Sequence, residues 1–281
     1  AMIKVEGLSV AFGGTEAVKN VSFQLREGEI LGVVGESGSG KSVTALTLMG
    51  LAPETAQLTS GRIVFENETL REAGKPLDRA LYEKYRGNFM AMVFQEPMTS
   101  LNPTQRAGRQ VEEVLLLHTD FNRQERRQRV LEAFASVGLR DPKKVYDSYP
   151  HQLSGGMRQR VMIAMAMILH PDLLVADEPT TALDVTVQNQ IVGLLKDINS
   201  KEQNAMLFIT HDLNLARRLC DRIVVMKDGC VVEQGTTKDI FEHPTQAYTR
   251  RLIAATPSRV RDASFVPAGQ GEKKRPVVEV K

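Results

Sequence analysis

A short apolar run, ILGVV, leads directly into GESGSGKS at residues 35–42 and from there into VTALTLMG. Few patterns restrict a chain as much. Glycines let the main chain fold inward so that its amides face one centre, and a helix beginning at Lys41 adds the positive end of its dipole there. A strand before and a helix after are the setting in which this spacing wraps the phosphates of a nucleoside triphosphate. The sequence therefore assigns Gly35, Glu36, Ser37, Gly38, Ser39, Gly40, Lys41, Ser42 and Val43 to nucleotide binding. Lys41 is long enough to reach the β and γ oxygens, and Ser42 supplies the hydroxyl that ligates Mg²⁺.

A loop of this kind belongs to a sheet, and the rest of the chain supplies one. IKVEGLSVAF, VSFQL and EILGVVG read as strands, and a helix runs from Lys41 to about Met49. SGRIVFENETL is a strand and turn, and AMVFQ (91–95) a short buried strand. From about Glu96 to Leu169 the pattern becomes helical, with QVEEVLLLH and RQERRQRVLEAFASVGL carrying apolar residues three and four apart. Gly138 and Pro142 close the second helix, and its arginines form a solvated face. Strands return as LLVAD (173–177), AMLFIT (205–210) and a hairpin, RIVVMK-DG-CVVEQG, whose Asp228-Gly229 suits a two-residue turn. The expected fold is α/β: a P-loop NTPase core with a mostly parallel sheet, an antiparallel β subdomain and a helical subdomain inserted at about 96–169. Periodicity fades from about Thr249. The domain is placed at 2–255 and a linker or tail at 256–281.

With 281 residues and 42% hydrophobic content, the chain can bury a substantial core. Thirty-six basic residues against 34 acidic ones leave a formal charge of +2, too balanced to make nucleic acid a partner. Cys220 and Cys230 are too few for a disulfide framework and lack zinc-site spacing, so they read as packing residues in a reducing cytoplasm. The longest apolar run, VMIAMAMIL (161–169), is about half of what a membrane-spanning helix needs. No signal-peptide pattern precedes the first strand, and Ala1 before Met2 is set aside as a cloning remnant.

LLVADEP delivers two carboxylates to the carboxyl end of a buried strand, where open α/β sheets bind ligands. On this extended segment two adjacent carboxylates point opposite ways and can hold different jobs, Asp177 in the Mg²⁺ shell and Glu178 polarising the attacking water. His211 ends the next buried strand and reaches the same rim, within range of the γ-phosphate. Gln95 ends AMVFQ, where its amide oxygen can face Mg²⁺ or its water. Spacing alone leaves both open, since each residue could equally be structural.

LSGGMRQR (153–160) holds a second glycine turn, with Ser154 as a helix N-cap and unobstructed amides behind it. This is another anion site, separated from the phosphate loop by the helical insertion. It points to a phosphate brought by a partner, so that two such chains arranged head to tail complete each other's sites.

In their order, GESGSGKS, Gln95, LSGGM, LLVADEP, TALD and His211 resemble the nucleotide-binding domain of ABC transporters, from about residue 2 to 255. The resemblance implies that ATP is the nucleotide and that a second nucleotide-binding domain is the partner in an ATP-sandwich dimer. It further implies that Phe12 stacks on adenine, that Leu153, Ser154, Gly155 and Gly156 contact the γ-phosphate across the dimer, and that Asp184 lies in a loop joining the two sites. Met157 departs from the family's usual Gln. MVFQEPMTSLNP, PHQLSGG, RQRVMIAMA and HPTQAYTRRLI are similar to ATP-binding subunits of bacterial dipeptide, oligopeptide and nickel importers. By that similarity Glu96 to Asn102 dock the transmembrane permease subunits, a periplasmic binding protein acts indirectly, and the chain works at the cytoplasmic face of the inner membrane in peptide uptake. The alternatives are a nickel importer ATPase and a soluble ABC ATPase of repair or ribosome function; a small-molecule kinase would leave LSGGM and TALD unused. Many dipeptide subunits carry a cysteine cluster near the carboxyl end, absent here, so an iron–sulfur site is not expected. RPVVEVK (275–281) echoes MIKVEGLSV, as an amino-terminal half of a tandem protein would, or stands as a loose tail.

Overall fold

The computed structural model describes residues 2–95 and 100–257. Its central layer follows from strands that are apolar on both faces. β3 (Ile30–Val34), β7 (Leu173–Asp177) and β8 (Ala205–Thr210) are buried at every position. With a period of two, a fully apolar strand needs an apolar layer on each side. Leu174, Ala176, Met206 and Phe208 face one cluster, and Leu173, Val175, Leu207 and Ile209 the other. Fully burying one such side chain contributes roughly 1.5–3 kcal/mol, so a charge at Val175 would be ruinous.

The six-stranded sheet runs β10-β9-β3-β8-β7-β6, where β6 is Met90–Val93, β9 Arg222–Lys227 and β10 Cys230–Thr236. All neighbours are parallel except β10, which returns antiparallel from β9. The phosphate loop therefore leaves a central strand flanked by β8 and β9. A second, antiparallel sheet, β2-β1-β4-β5, is built from Thr15–Leu25, Ile3–Phe12, Ala56–Phe65 and Glu68–Glu72. Its apolar side shares one cluster with α1 (Lys41–Leu48) and α2 (Arg79–Tyr85).

Between β6 and β7 the chain makes the helical lobe. α3 (Ala107–His118), α4 (Arg123–Ser136), α5 (Pro142–Asp147) and a 3-10 turn at Pro150–Gln152 precede α6 (Gly155–Met167). Asn122 and Glu125 form a reciprocal capping box that starts α4. The α4 arginines are not simply a solvated face. Arg126 pairs with buried Glu112 at 3.3 Å and donates to Phe121 O at 2.7 Å, while Arg127 and Arg129 lie 4.3 and 4.5 Å from the rings of Tyr146 and Phe121. Glu112 also accepts from the Tyr146 hydroxyl, so the carboxylate ties three helices together.

After β7 come α7 (Val185–Glu202), α8 (Leu213–Leu219), α9 (Thr237–Glu242) and α10 (Ala247–Ala255). The segment from Thr249, where the sequence periodicity fades, is helical to Ala255. Thr249 is buried and Leu252 and Ile253 pack on the core, which outweighs the weak local pattern. The echo at 275–281 lies outside the described residues. Among the described residues no helix is long and apolar enough to cross a membrane.

Candidate functional site

The loop of 35–42 leaves β3 and opens α1 through Gly40, whose φ of 95° is left-handed. No side chain caps this helix. Its first amides stay free for an acceptor, unlike those of helices with a capping Asp or Ser. Glu36, Ser37 and Gly38 form an exposed crest, while Ser39 and Lys41 are buried at its base and Ser42 and Val43 are half-buried. Lys41 Nζ donates to Gly35 O at 2.7 Å and Glu36 O at 2.8 Å. Burial pulls the ammonium pKa below its ordinary value, while the carboxylates of Glu178, Asp177 and Glu36 work the other way.

The loop does not hold its shape alone. Asp228 and Gly229 have φ of 49° and 81°, the doubly left-handed turn expected of Asp-Gly in a tight hairpin. Gly229 N–H donates to Ser39 O at 3.0 Å, and Gly229 O accepts from Lys19 N–H at 2.8 Å. A Cβ at Gly229 would stand 2.6 Å from Ala17 O. The hairpin turn is thus wedged between β2 and the phosphate loop, a role that the sequence reading of a tight turn did not include.

The residues expected around Mg²⁺ and water converge in part. Ser42 Oγ donates to Asp177 Oδ1 at 3.1 Å. Burial holds the Asp177 carboxyl above its usual range, opposed by the Ser42 hydrogen bond and aided by Glu178. Glu178 parts from Asp177 by a different route than strand alternation. β7 stops at Asp177, and Glu178 adopts φ 45°, a left-handed conformation uncommon for a side chain of this kind. There its N–H donates to Ile209 O at 2.9 Å, and Oε1 lies 2.9 Å from His211 Nδ1. His211 is exposed and Glu178 is largely covered, with side-chain exposures of 62% and 13%. β6 ends at Val93, so Gln95 is not a strand residue: it sits exposed in a bend, and among the described residues no hydrogen bond joins it to Ser42 or Asp177. Phe12, at the end of β1, is half-buried against the β-subdomain cluster, which leaves ring surface open.

The second glycine turn lies in the helical lobe. Ser154 is exposed and caps α6 by accepting from Met157 N–H at 3.2 Å. Leu153 differs from its neighbours: its side chain is core, 4% exposed, and its N–H already serves Pro150 O. Gly156 has a packing reason beyond its open amide. A Cβ there would meet Val187 Cγ1 at 2.8 Å, and one at Gly155 would meet Leu183 Cδ2 at 3.2 Å. The turn therefore rests on the start of α7, which Asp184 caps by accepting from Val187 N–H at 2.9 Å.

Comparison with known proteins identifies the family and the fold. The family profile described as ABC transporter matches residues 18–181, more than half of the chain. This chain belongs to the ABC transporter ATP-binding family. The cassette is 46% identical over 275 residues to the dipeptide transport ATP-binding protein DppD of Haemophilus influenzae, covering 96% of this chain and 82% of that one. It is 51% identical over 261 residues to the peptidoglycan transport ATP-binding protein YejF of Agrobacterium fabrum, covering 91% of this chain but 47% of that one. The chain thus spans about half the length of that relative. Among solved structures, the dimeric bacterial ABC transporter cassette MJ0796 superposes with a TM-score of 0.73 at 33% identity, covering 84% of this chain and 99% of that one. A post-hydrolysis MJ0796 dimer bound to ADP and Pi gives 0.73 at 32%, with the same coverage. The cassette is an ABC-type ATPase with a P-loop NTPase fold.

Proposed function

We propose that this cassette is the ATP-hydrolysing subunit of a peptide importer at the cytoplasmic face of a bacterial inner membrane, and that it works as one half of a pair. In that pair each phosphate loop, with Gly35 to Val43 around the phosphates and Phe12 against adenine, meets the partner's turn at Ser154, Gly155 and Gly156. Asp184 joins the two sites. The observation that carries this reading is the division of labour within one chain: loop, Asp177, Glu178 and His211 share one rim, while the exposed Ser154 turn makes no described hydrogen bond to it. Dimeric cassettes among the structural neighbours and relatives named for dipeptide and peptidoglycan transport support it; the latter favour peptide over nickel and over a soluble ATPase.

Within the site, Glu178 orients the attacking water and His211 fixes the carboxylate and faces the γ-phosphate. Ser42 and Asp177 fit Mg²⁺: a hydroxyl and a carboxylate, both hard oxygen donors, meet 3.1 Å apart beside the phosphate loop and would hold the ion there. The metal would supply charge neutralisation for the phosphates. Gln95, exposed in its bend, is assigned to the same shell on the resemblance alone.

Of the segment assigned to the permease, residues 96–99 lie outside the described residues. Asn102 is held from α3, where the buried Gln110 side chain accepts from Asn102 N–H at 2.8 Å and donates to Asn102 O and Gln105 O at 2.8 and 2.9 Å. Nearby on α3, Leu116 and Leu117 are 57% and 71% exposed. Such apolar surface suits a docked permease element.

The test is concentration. ATPase rate per molecule should rise with protein concentration and vanish on dilution below the pairing constant. A rate per molecule that stays constant to the lowest dilution removes the paired mechanism.

A further inference from the structure

At the opposite end of α1 from the phosphate loop, a cavity of about 480 Å³ opens between α1, α2 and strands β1 and β4. Val10, Leu58 and Leu77 give it apolar walls, and Thr47 and Gly50 bring the end of α1 to its edge. Its polar groups are unevenly satisfied. Arg79 pairs with Glu54 at 3.0 Å, and Arg86 donates to Gly50 O at 3.2 Å. Arg71, which also lines the cavity, donates no side-chain hydrogen bond and makes no ion pair among the described residues, and its Nε is buried without a partner. The hydroxyl of Tyr82, a residue 0% exposed on the same wall, has no partner either. Arg71 and Arg86 lie near enough to Tyr82 to draw its hydroxyl pKa down, against the larger upward effect of burial.

Two buried donors without partners on one cavity wall, the Tyr82 hydroxyl and the Nε of a guanidinium, are costly and call for an explanation. Both can donate, so what they lack is an acceptor, and the guanidinium asks for a negative one. The volume falls within the range of roughly 300–1,000 Å³ typical of small-molecule sites. Apolar walls call for an apolar body.

We propose that this cavity is a ligand site for a small apolar molecule ending in a carboxylate, whose carboxylate is taken by Arg71 and the Tyr82 hydroxyl. Tyr82 Oη and Arg71 Nε have almost no open surface, so binding requires the Arg71 side chain to reorient toward the carboxylate, which no hydrogen bond among the described residues resists. A short fatty acid and a peptide carboxyl terminus share the required chemistry. Filling the site would press on Thr47 and Gly50, at the end of the helix whose start grips the nucleotide, and so give a small molecule influence over ATP affinity.

The experiment titrates octanoate and leucyl-leucine, each beside its amide, into the full chain saturated with a non-hydrolysable ATP analogue and Mg²⁺, by calorimetry. At least one acid should bind at one per chain, with its amide at least tenfold weaker; octanoate alone would point to fatty acids, leucyl-leucine alone to peptide ends. Arg71→Met should weaken binding tenfold or more. Tyr82→Phe should weaken it several-fold while leaving the melting temperature of the free protein unchanged or higher, because an unsatisfied hydroxyl has been removed. No saturable binding by either acid, equal binding of acid and amide, insensitivity to Arg71→Met, or a Tyr82→Phe protein that melts lower would each overturn the proposal.

Discussion

His211 Nδ1 lies 2.9 Å from Glu178 Oε1, so a ring at the end of β8 steadies the carboxylate that follows β7. The two residues are brought together by the parallel pairing of Asp177 with Ile209 and by the left-handed turn at Glu178. Glu178→Gln keeps the shape and removes the proposed base. Turnover should fall about 100-fold or more, while ATP affinity stays within a factor of a few and an ATP-dependent dimer accumulates on size exclusion. Normal turnover in the variant would take Glu178 out of its role.

Ser154 is exposed at the head of α6, where a large cation fits the monomer but not a closely apposed partner. Ser154→Arg should lose hydrolysis by about 100-fold with no loss of nucleotide affinity measured at concentrations where the chain is monomeric. Losing the N-cap costs about 1 kcal/mol, so a melt near the parent's confirms that the fold is intact. Weakened monomer binding would place Ser154 at its own chain's nucleotide instead.

Gly229 joins a φ of 81° to a Cβ position 2.6 Å from Ala17 O. Gly229→Ala should therefore cost about 1–3 kcal/mol, and because Gly229 N–H holds Ser39 O, ATP affinity should fall along with the melting temperature. An unchanged affinity in a protein that melts lower would detach the hairpin from the loop.

Much of the site could be read in the sequence because its geometry is local. In GESGSGKS and LLVADEP, strand, turn and following residues lie within a few positions of one another, and the spacing itself determines where Lys41, Ser42 and Asp177 stand. Features that depend on distant neighbours could not be read this way. Nothing near Asp228-Gly229 announces that its amide will reach Ser39. The end of β6 before Gln95 and the left-handed Glu178 reflect where pairing stops, which an apolar run does not mark. The arginines of α4 looked solvated because their partners, Glu112 and Tyr146, belong to α3 and α5. α10 was hidden because Thr249 is its one fully buried residue; a strand elsewhere holds its start.

That strand is β10, whose Glu233 accepts from Thr245 N–H and Thr245 Oγ1, both at 2.8 Å, and from Gln246 N–H at 3.2 Å. Burial pushes the Glu233 carboxyl up, but the hydrogen bonds, led by the Thr245 amide, prevail and hold it below the usual range. A depressed folded pKa means that the stabilisation is complete above the unfolded value of about 4.3 and disappears as pH falls through the folded one. Hydrogen exchange at the amides of α10 should thus be slow and flat from neutral pH to about pH 5 once the intrinsic rate is divided out, then lose protection below about pH 4. In Glu233→Gln that acid step should be absent and protection lower throughout. A wild-type profile in the variant would remove Glu233 as the clamp.

The wedge formed by Gly229 between Ser39 and Ala17 also bears on what can be transplanted. GESGSGKS looks portable, a few letters that could be pasted behind any buried strand. Here its curvature is moulded from outside, by a turn encoded far downstream that must be synthesised before the loop can settle. A chimera that borrows the motif without the hairpin would inherit the letters and not the grip, and a nascent chain stalled short of Gly229 would hold nucleotide poorly despite carrying every residue that touches it.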